Sequence, residues 1–276
     1  MAKHPSEVFC YPVWVSSQEA KENRTKYWCN FVSQRCDKQS RLISYPMGVC
    51  SVQYNSSTVA ICPKRFLQDN IIFKDIARHY FGTLNDLVVF PEAGLAGIGS
   101  FDYVMVKHKP LSSEIEDFVI IEMQTDQTTG TGKLVKALED FMQGKNIEGE
   151  TYGFGTNTYD TLKRSFTQIL NKGIVLENWQ QKIYWVFQEF VYRNFTNRYN
   201  LKNMGFDPAH STVFMIYDLK RQADCYQLTN TRIESSTIEN LFNAFRNNPN
   251  IPSKDKFVDA LNKKLKAQIQ LNLKLI

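Results

Sequence analysis

The chain has 276 residues, of which 43% are hydrophobic, 13% aromatic and 22% charged, with 13 Gly and 9 Pro. This composition excludes a disordered, collagen-like or low-complexity protein and is sufficient for one full hydrophobic core or two smaller ones. The net charge of +5 is uneven, because residues 71–150 carry 13 Asp and Glu against 7 Lys and Arg while both flanks are basic. An enzyme that holds a cation and acts on a polyanion would have this arrangement, although ordinary surface charge gives the same pattern.

The cysteines are concentrated near the start of the chain, where five of the six lie within residues 10–62. No run approaches the ~20 apolar residues that span a bilayer, and the first residues lack the apolar centre of a signal peptide. We therefore expect a cytoplasmic protein with no membrane partner. In that reducing compartment cysteines act as metal ligands or buried hydrophobes more often than as disulfides. Residues 1–64 are thus predicted to form a small cysteine-rich module whose thiols are metal ligands or buried side chains, followed by a second domain over residues 65–276.

The first predicted elements are a hairpin, a helix and a meander. Apolar alternation around the turn residues 55–57 predicts a hairpin, and helical spacing over residues 65–81 predicts a helix that Gly82 ends. Strand-like runs follow at residues 87–92, 101–107 and 118–124. The third run is continuously apolar at residues 118–121, which is typical of a central strand covered on both faces.

The rest of the chain alternates helices with strands. Residues 133–143 predict a short helix packed on the sheet, and residues 158–170 and 177–199 predict two more, the last dense with aromatic side chains. Residues 212–219 and 225–228 read as strands, and residues 235–246 and 254–275 as helices. The sequence therefore predicts an α/β fold with additional C-terminal helices.

The apolar pattern of the third strand breaks at Glu122, close to the end of the strand. Because strand side chains alternate between faces, Glu122 and Gln124 project together. If the preceding strand pairs with it antiparallel across a turn near residue 111, Asp102 faces Glu122 closely enough to share a cation. Two carboxylates and the Met123 carbonyl form an oxygen-rich site of the kind that Mg²⁺ takes, and such a site supports metal-assisted phosphodiester hydrolysis. The same residues are also compatible with a solvated strand end.

This part of the chain resembles the PD-(D/E)xK nuclease core, in the variant with Gln in place of the usual Lys. The resemblance lies in Asp102 on one predicted strand and in Glu122, Met123 and Gln124 on the next. Together with the loop at residues 125–132 (TDQTTGTG), the pattern is similar to the NotI family of restriction endonucleases.

The resemblance extends to the N-terminal module, in Cys29, Cys36 and the runs at residues 46–52 (PMGVCSV) and 61–66 (ICPKRF). It covers roughly residues 10–145. The resemblance implies a restriction-endonuclease-like αβββαβ core, with a mixed sheet flanked by helices, over residues 65–276. It also implies a type II enzyme that cleaves palindromic double-stranded DNA site-specifically, with Mg²⁺, as a homodimer.

The resemblance also implies roles for individual residues. Those implied to be catalytic are Asp102, Glu122 and Gln124, with Asp102 and Glu122 holding Mg²⁺ and Glu92 as a further acidic residue by position. The implied ligands of a structural iron ion are Cys29, Cys36, Cys50 and Cys62. Four thiolates by themselves suit zinc as well as iron. Cys10 is either a spare thiol or an alternative ligand.

Two other functions stay open, and Gln124 is the reason for the first. A neutral amide can orient a water molecule through its donor and acceptor groups, but it cannot supply the charge of a lysine. One alternative is therefore a metal-stabilised, sequence-specific DNA-binding protein without cleavage. The other is a repair-type nuclease that does not read sequence.

Overall fold

A computed structural model describes residues 2–201 and 204–268. The strands are β1 (Lys3–Val8), β2 (Tyr11–Pro12), β3 (Trp28–Cys29), β4 (Gln34–Arg35), β5 (Val49–Tyr54), β6 (Ser57–Ala60), β7 (Leu87–Leu95), β8 (Gly99–His108), β9 (Ile115–Gln124), β10 (Thr128–Thr129), β11 (Gly155–Thr156), β12 (Ile183–Gln188), β13 (Thr212–Arg221) and β14 (Tyr226–Ser236). The helices are α1 (Gln18–Lys26), α2 (Ile71–Tyr80), α3 (Thr131–Met142), α4 (Thr158–Asn178), α5 (Glu189–Tyr199), α6 (Ile238–Arg246) and α7 (Lys254–Gln268), with a 3-10 helix at Pro63–Asn70. The predicted helix over residues 254–275 thus begins as expected, and its residues 269–275 lie outside the described residues.

The main sheet has six strands in the order β14-β13-β12-β9-β8-β7. The three strands of this sheet that come first along the chain, β7, β8 and β9, form the predicted antiparallel meander. Strand β12 is parallel to both β9 and β13, and β14 closes the other edge antiparallel to β13. The sheet is therefore mixed, and the apolar strand β9 lies inside it, as predicted.

Helices cover both faces of this sheet, as alternation of side chains along β9 requires. Ile120 packs in one core with residues of α4, α5 and α6, including Phe166. Ile121 packs in the opposite core with α2 and the 3-10 helix, including Phe66 and Ile72. The observed architecture is a mixed α/β fold whose sheet is flanked by helices.

The prediction of one helix over residues 177–199 is wrong in its first half, because residues 183–188 form β12, and α5 begins only at Glu189. All six residues of β12 are buried. Tyr184 and Val186 point into one core, whereas Trp185 and Phe187 point into the other. The aromatic side chains at successive positions of this segment therefore belong to a strand that is covered on both faces.

A second, four-stranded sheet in the order β2-β1-β5-β6 forms the N-terminal region and contains the predicted hairpin β5–β6. The expectation that the helix near residue 133 packs on the main sheet is wrong. Leu134, Val135 and Leu138 of α3 pack instead against Val8 and Val49 of the small sheet. Helix α3 therefore forms part of the core of the small sheet.

Candidate active site and thiol cluster

A pocket of about 450 Å³ opens where β7, β8 and β9 meet α4, and we call it the acidic pocket. All four predicted catalytic residues line it. Its wall consists of Ile61, Pro63, Lys64, Pro91, Glu92, Asp102, Tyr103, Glu122, Met123, Gln124, Thr125, Asp126, Gln127, Arg164 and Gln168.

Asp102 and Glu122 lie opposite each other on paired strands. Tyr103 pairs with Ile121 in the antiparallel ladder, so the next residue on each strand brings Asp102 to Glu122, as predicted. The Met123 amide donates to Asp102 Oδ2 at 2.8 Å, and the Asp102 amide lies 3.4 Å from Glu122 Oε1. Burial, together with the nearby Asp102 charge, raises the pKa of Glu122 to about 7. A cation bound between the two carboxylates would lower the pKa of Glu122 again, because nearby positive charge favours the ionised carboxylate.

Glu92 extends this pair into a row of three acidic residues across neighbouring strands. The β7–β8 ladder pairs Pro91 with Tyr103 and Ala93 with Phe101, which places Glu92 level with Asp102. The backbone of Glu92 has φ of 52°, a left-handed conformation that interrupts the ladder at this residue. Glu92 is exposed, in contrast to the buried Glu122.

Gln124 is bound to α4 rather than pointing freely into the pocket. Ser165 Oγ donates to Gln124 Oε1 at 2.7 Å, and Gln124 Nε2 donates to Gln168 Oε1 at 3.2 Å. An amide has two donor hydrogens and two acceptor lone pairs, so one of each is left for a water molecule or a phosphate.

Lys172 is a residue of this site that reasoning from the sequence missed. Its Nζ lies 2.6 Å from Glu122 Oε1, and the ion pair is buried. The sequence does contain a signal for it, because Thr161, Ser165, Gln168 and Lys172 recur every third or fourth residue along α4. That spacing places four polar side chains on one face of the helix, next to the apolar stripe that covers the sheet.

The donors of the acidic pocket suit Mg²⁺ better than a metal that needs a full set of protein ligands. Within residues 2–201 and 204–268, no three His, Cys, Asp or Glu side chains are arranged so that they could hold a metal ion as they stand. Mg²⁺ needs only one or two carboxylates, because it keeps several waters and takes substrate phosphate oxygens. Asp102 and Glu122 fit that requirement.

Five cysteines line one small enclosed space of about 10 Å³, and we call them the thiol cluster. They are the four predicted ligands Cys29, Cys36, Cys50 and Cys62, together with Cys10. Cys10 Sγ and Cys29 Sγ are 3.5 Å apart. That contact is a hydrogen bond between two thiols, and as they stand no three cysteines of the described part of the chain are arranged to hold a metal ion. The donors are those that soft metals prefer.

The charge state of the thiols differs across the cluster. Burial raises the pKa of Cys62 to about 12. The hydrogen bond from Cys10 lowers the pKa of Cys29 to about 7, against a smaller opposing effect of burial. Lys64 lies beside the cluster and also lines the acidic pocket, so the two sites share a wall.

Residues 7–229 match a family model described as restriction endonuclease NotI. The chain belongs to the NotI family of restriction endonucleases. The matched range includes the thiol cluster, the three strands of the acidic pocket and α4. As a member of the NotI family the protein is a site-specific deoxyribonuclease, and its substrate is DNA.

No curated protein matched the chain. Among the helices that the structure describes, none combines the length and apolar character needed to cross a membrane.

Proposed function

We propose that this enzyme is a type II restriction endonuclease that hydrolyses phosphodiester bonds in palindromic double-stranded DNA and depends on Mg²⁺. The observation that carries the proposal is the placement of Asp102 and Glu122 opposite each other on β8 and β9, in a pocket that also contains Gln124 and Arg164. Carboxylates at this position would hold the ion, and Arg164 would contact a DNA phosphate.

Each side chain has a separate task in this proposal. The Met123 amide orients Asp102. Gln124, fixed by Ser165 and Gln168, positions the attacking water through its remaining donor and acceptor. Bound Mg²⁺ would supply electrostatic stabilisation of the charge that develops on the phosphoryl oxygens.

Glu92 is the most exposed of the four predicted catalytic residues. Its side chain lies at the rim of the acidic pocket, level with Asp102. We assign it an auxiliary role beside the Asp102 and Glu122 pair, because an exposed carboxylate contributes less charge stabilisation than a buried one.

The thiol cluster is proposed to hold a structural iron ion through Cys29, Cys36, Cys50 and Cys62, with zinc as the alternative. Support comes from the enclosed space that these thiols share and from the soft donor set. Cys10 lies in the same cluster and is the alternative ligand.

A homodimer is the assembly that we propose for palindromic DNA. A two-fold symmetric site presents two identical half-sites, and a two-fold symmetric protein offers each strand one acidic pocket.

The test of the carboxylate pair is Glu122→Gln, with Glu116→Gln as its matched control. Both residues lie on β9, but Glu116 pairs with Lys107 away from the acidic pocket. Incubation of plasmid DNA with Mg²⁺ should give discrete fragments with the wild type and with Glu116→Gln, and none with Glu122→Gln. A smear from the wild type would indicate a nuclease that does not read sequence, and intact DNA would indicate a binding protein. Full cleavage by Glu122→Gln would refute the assignment.

A further inference from the structure

The carboxylates of the acidic pocket are in contact with one basic side chain among the residues that the structure describes. Glu122 forms an ion pair with Lys172, and Asp102 forms no ion pair within this part of the chain. Two acidic groups next to a DNA phosphate repel their substrate unless positive charge offsets them. A single divalent ion and one lysine together would provide three positive charges at this point.

Lys172 is held in place from several sides. Its Nζ donates to Glu122 Oε1 at 2.6 Å and to the Ser100 carbonyl at 2.8 Å, and it lies 5.4 Å from the centre of the Phe101 ring. The residue is 6% exposed. Its ammonium is therefore a fixed charge rather than a mobile surface group, and fixed charges stabilise a transition state without reorganisation.

We propose that Lys172 is a positioning residue of the nuclease reaction, which supplies from α4 the positive charge that Gln124 does not carry. The inference rests on the proposed function, since it assumes that Asp102 and Glu122 hold the ion. Three residues on one face of α4 contact the end of β9. Ser165 and Gln168 bind the Gln124 amide, and Lys172 binds Glu122. One face of α4 thus organises both members of the Glu122 and Gln124 pair.

The contact also assigns the two oxygens of Glu122. Lys172 Nζ and the Asp102 amide both lie against Oε1. The other oxygen, Oε2, makes neither of these contacts and would be the one available to the cation. Without Lys172 the carboxylate could rotate, and the direction of that oxygen would no longer be fixed.

The first experiment compares Lys172→Met with Lys136→Met. Lys136 is a half-exposed lysine of α3 that pairs with Asp140 away from the acidic pocket. Replacing a buried ion-paired lysine by an apolar side chain leaves Glu122 without its partner, so thermal denaturation of each variant must be recorded first. Single-turnover cleavage of a plasmid by Lys172→Met should fall by about 100-fold or more, the cost of losing one preorganised charge contact. DNA affinity measured in EDTA, and the rate of Lys136→Met, should match the wild type.

The second experiment places a positive charge on β9 in place of the one that Lys172 carries on α4. Gln124→Lys in the Lys172→Met background places an ammonium on β9, two residues from Glu122, and should recover part of the lost rate. A purely structural role for Lys172 predicts no such recovery, since the second substitution restores no contact to Ser100. Lys172→Met with wild-type rate, or a slow Lys172→Met that Gln124→Lys fails to improve, would overturn the inference.

Parallel assays with Glu122→Gln separate this inference from the proposed function. If Glu122→Gln cleaves normally, the carboxylate assignment itself fails. If Glu122→Gln is inactive and Lys172→Met is fully active, the assignment of the ion to Asp102 and Glu122 stands and only the role of Lys172 fails.

Discussion

Arg65 and Glu7 form an ion pair that solvent does not reach, with Arg65 Nε 2.8 Å from Glu7 Oε2. Ser51 Oγ also donates to Glu7 Oε2, and Arg65 Nη2 donates to the Tyr226 carbonyl. The pair therefore joins β1 of the small sheet to β14 of the main sheet. A buried pair contributes little net stability when it is intact, but it is costly to break on one side.

We expect Arg65→Met to lower the free energy of unfolding by about 3–5 kcal/mol, because Glu7 would then be buried without a positive partner. The double variant Glu7→Gln with Arg65→Met should be less destabilised than Arg65→Met alone. Chemical denaturation of the three proteins measures both quantities. Equal unfolding free energies for wild type and Arg65→Met would contradict this account.

The pairing of Asp102 with Glu122 could be predicted from the sequence, whereas the contact between Lys172 and Glu122 could not. Asp102 and Glu122 lie on consecutive strands of one meander, and the symmetry of an antiparallel pair about its turn sets which residues face each other. Lys172 arrives from a helix fifty residues further along the chain. Its contact depends on how α4 packs on the sheet, and periodicity alone does not give that arrangement.

Helix α4 is held close to its neighbours at Gly173, the residue after Lys172. A Cβ at Gly173 would lie 2.3 Å from Ile238 Cδ1 of α6 and 3.2 Å from Thr212 Oγ1 of β13. Glycine permits this approach because it has no side chain. The position of Lys172 beside Glu122 therefore depends on tight contact between α4, α6 and β13.

Gly173→Ala should destabilise the protein by about 1–3 kcal/mol through overpacking, although alanine is the better helix former by about 1 kcal/mol. The added methyl group must displace Ile238, so Gly173→Ala combined with Ile238→Val should be more stable than Gly173→Ala alone. Thermal denaturation of both variants, followed by circular dichroism, gives the comparison. A gain in stability for Gly173→Ala would show that α4 has room to move.

Strand β12 and helix α3 are two elements for which the sequence pattern did not give the right type of element or the right packing partner. Residues 183–188 are apolar on both faces, and a short run of that kind has no period that separates a buried strand from a buried helix. Helix α3 has an unmistakable apolar face, but nothing in that face identifies the sheet it covers. The meander and the β5–β6 hairpin were predictable because they pair residues that are near in sequence.

At the scale of the whole molecule, the small sheet depends on parts outside it. Its core includes α3, and its charged centre includes Arg65. A metal ion in the thiol cluster would add a further constraint, because bound metal stabilises only the folded state.

Cys50→Ser should lower the metal content of the purified protein and its melting temperature, whereas Cys225→Ser should change neither. Cys50 lines the thiol cluster, and Cys225 is a half-buried cysteine that does not line it. Elemental analysis measures iron and zinc in both variants. Identical metal content in Cys50→Ser and the wild type would count against the proposed ligand set.

The thiol cluster and the acidic pocket share a wall that is formed by three consecutive residues. Cys62 faces the thiol cluster, Pro63 borders the acidic pocket, and Lys64 reaches both. The rim of the nuclease site is therefore built on the same short segment of backbone that carries one of the five thiols.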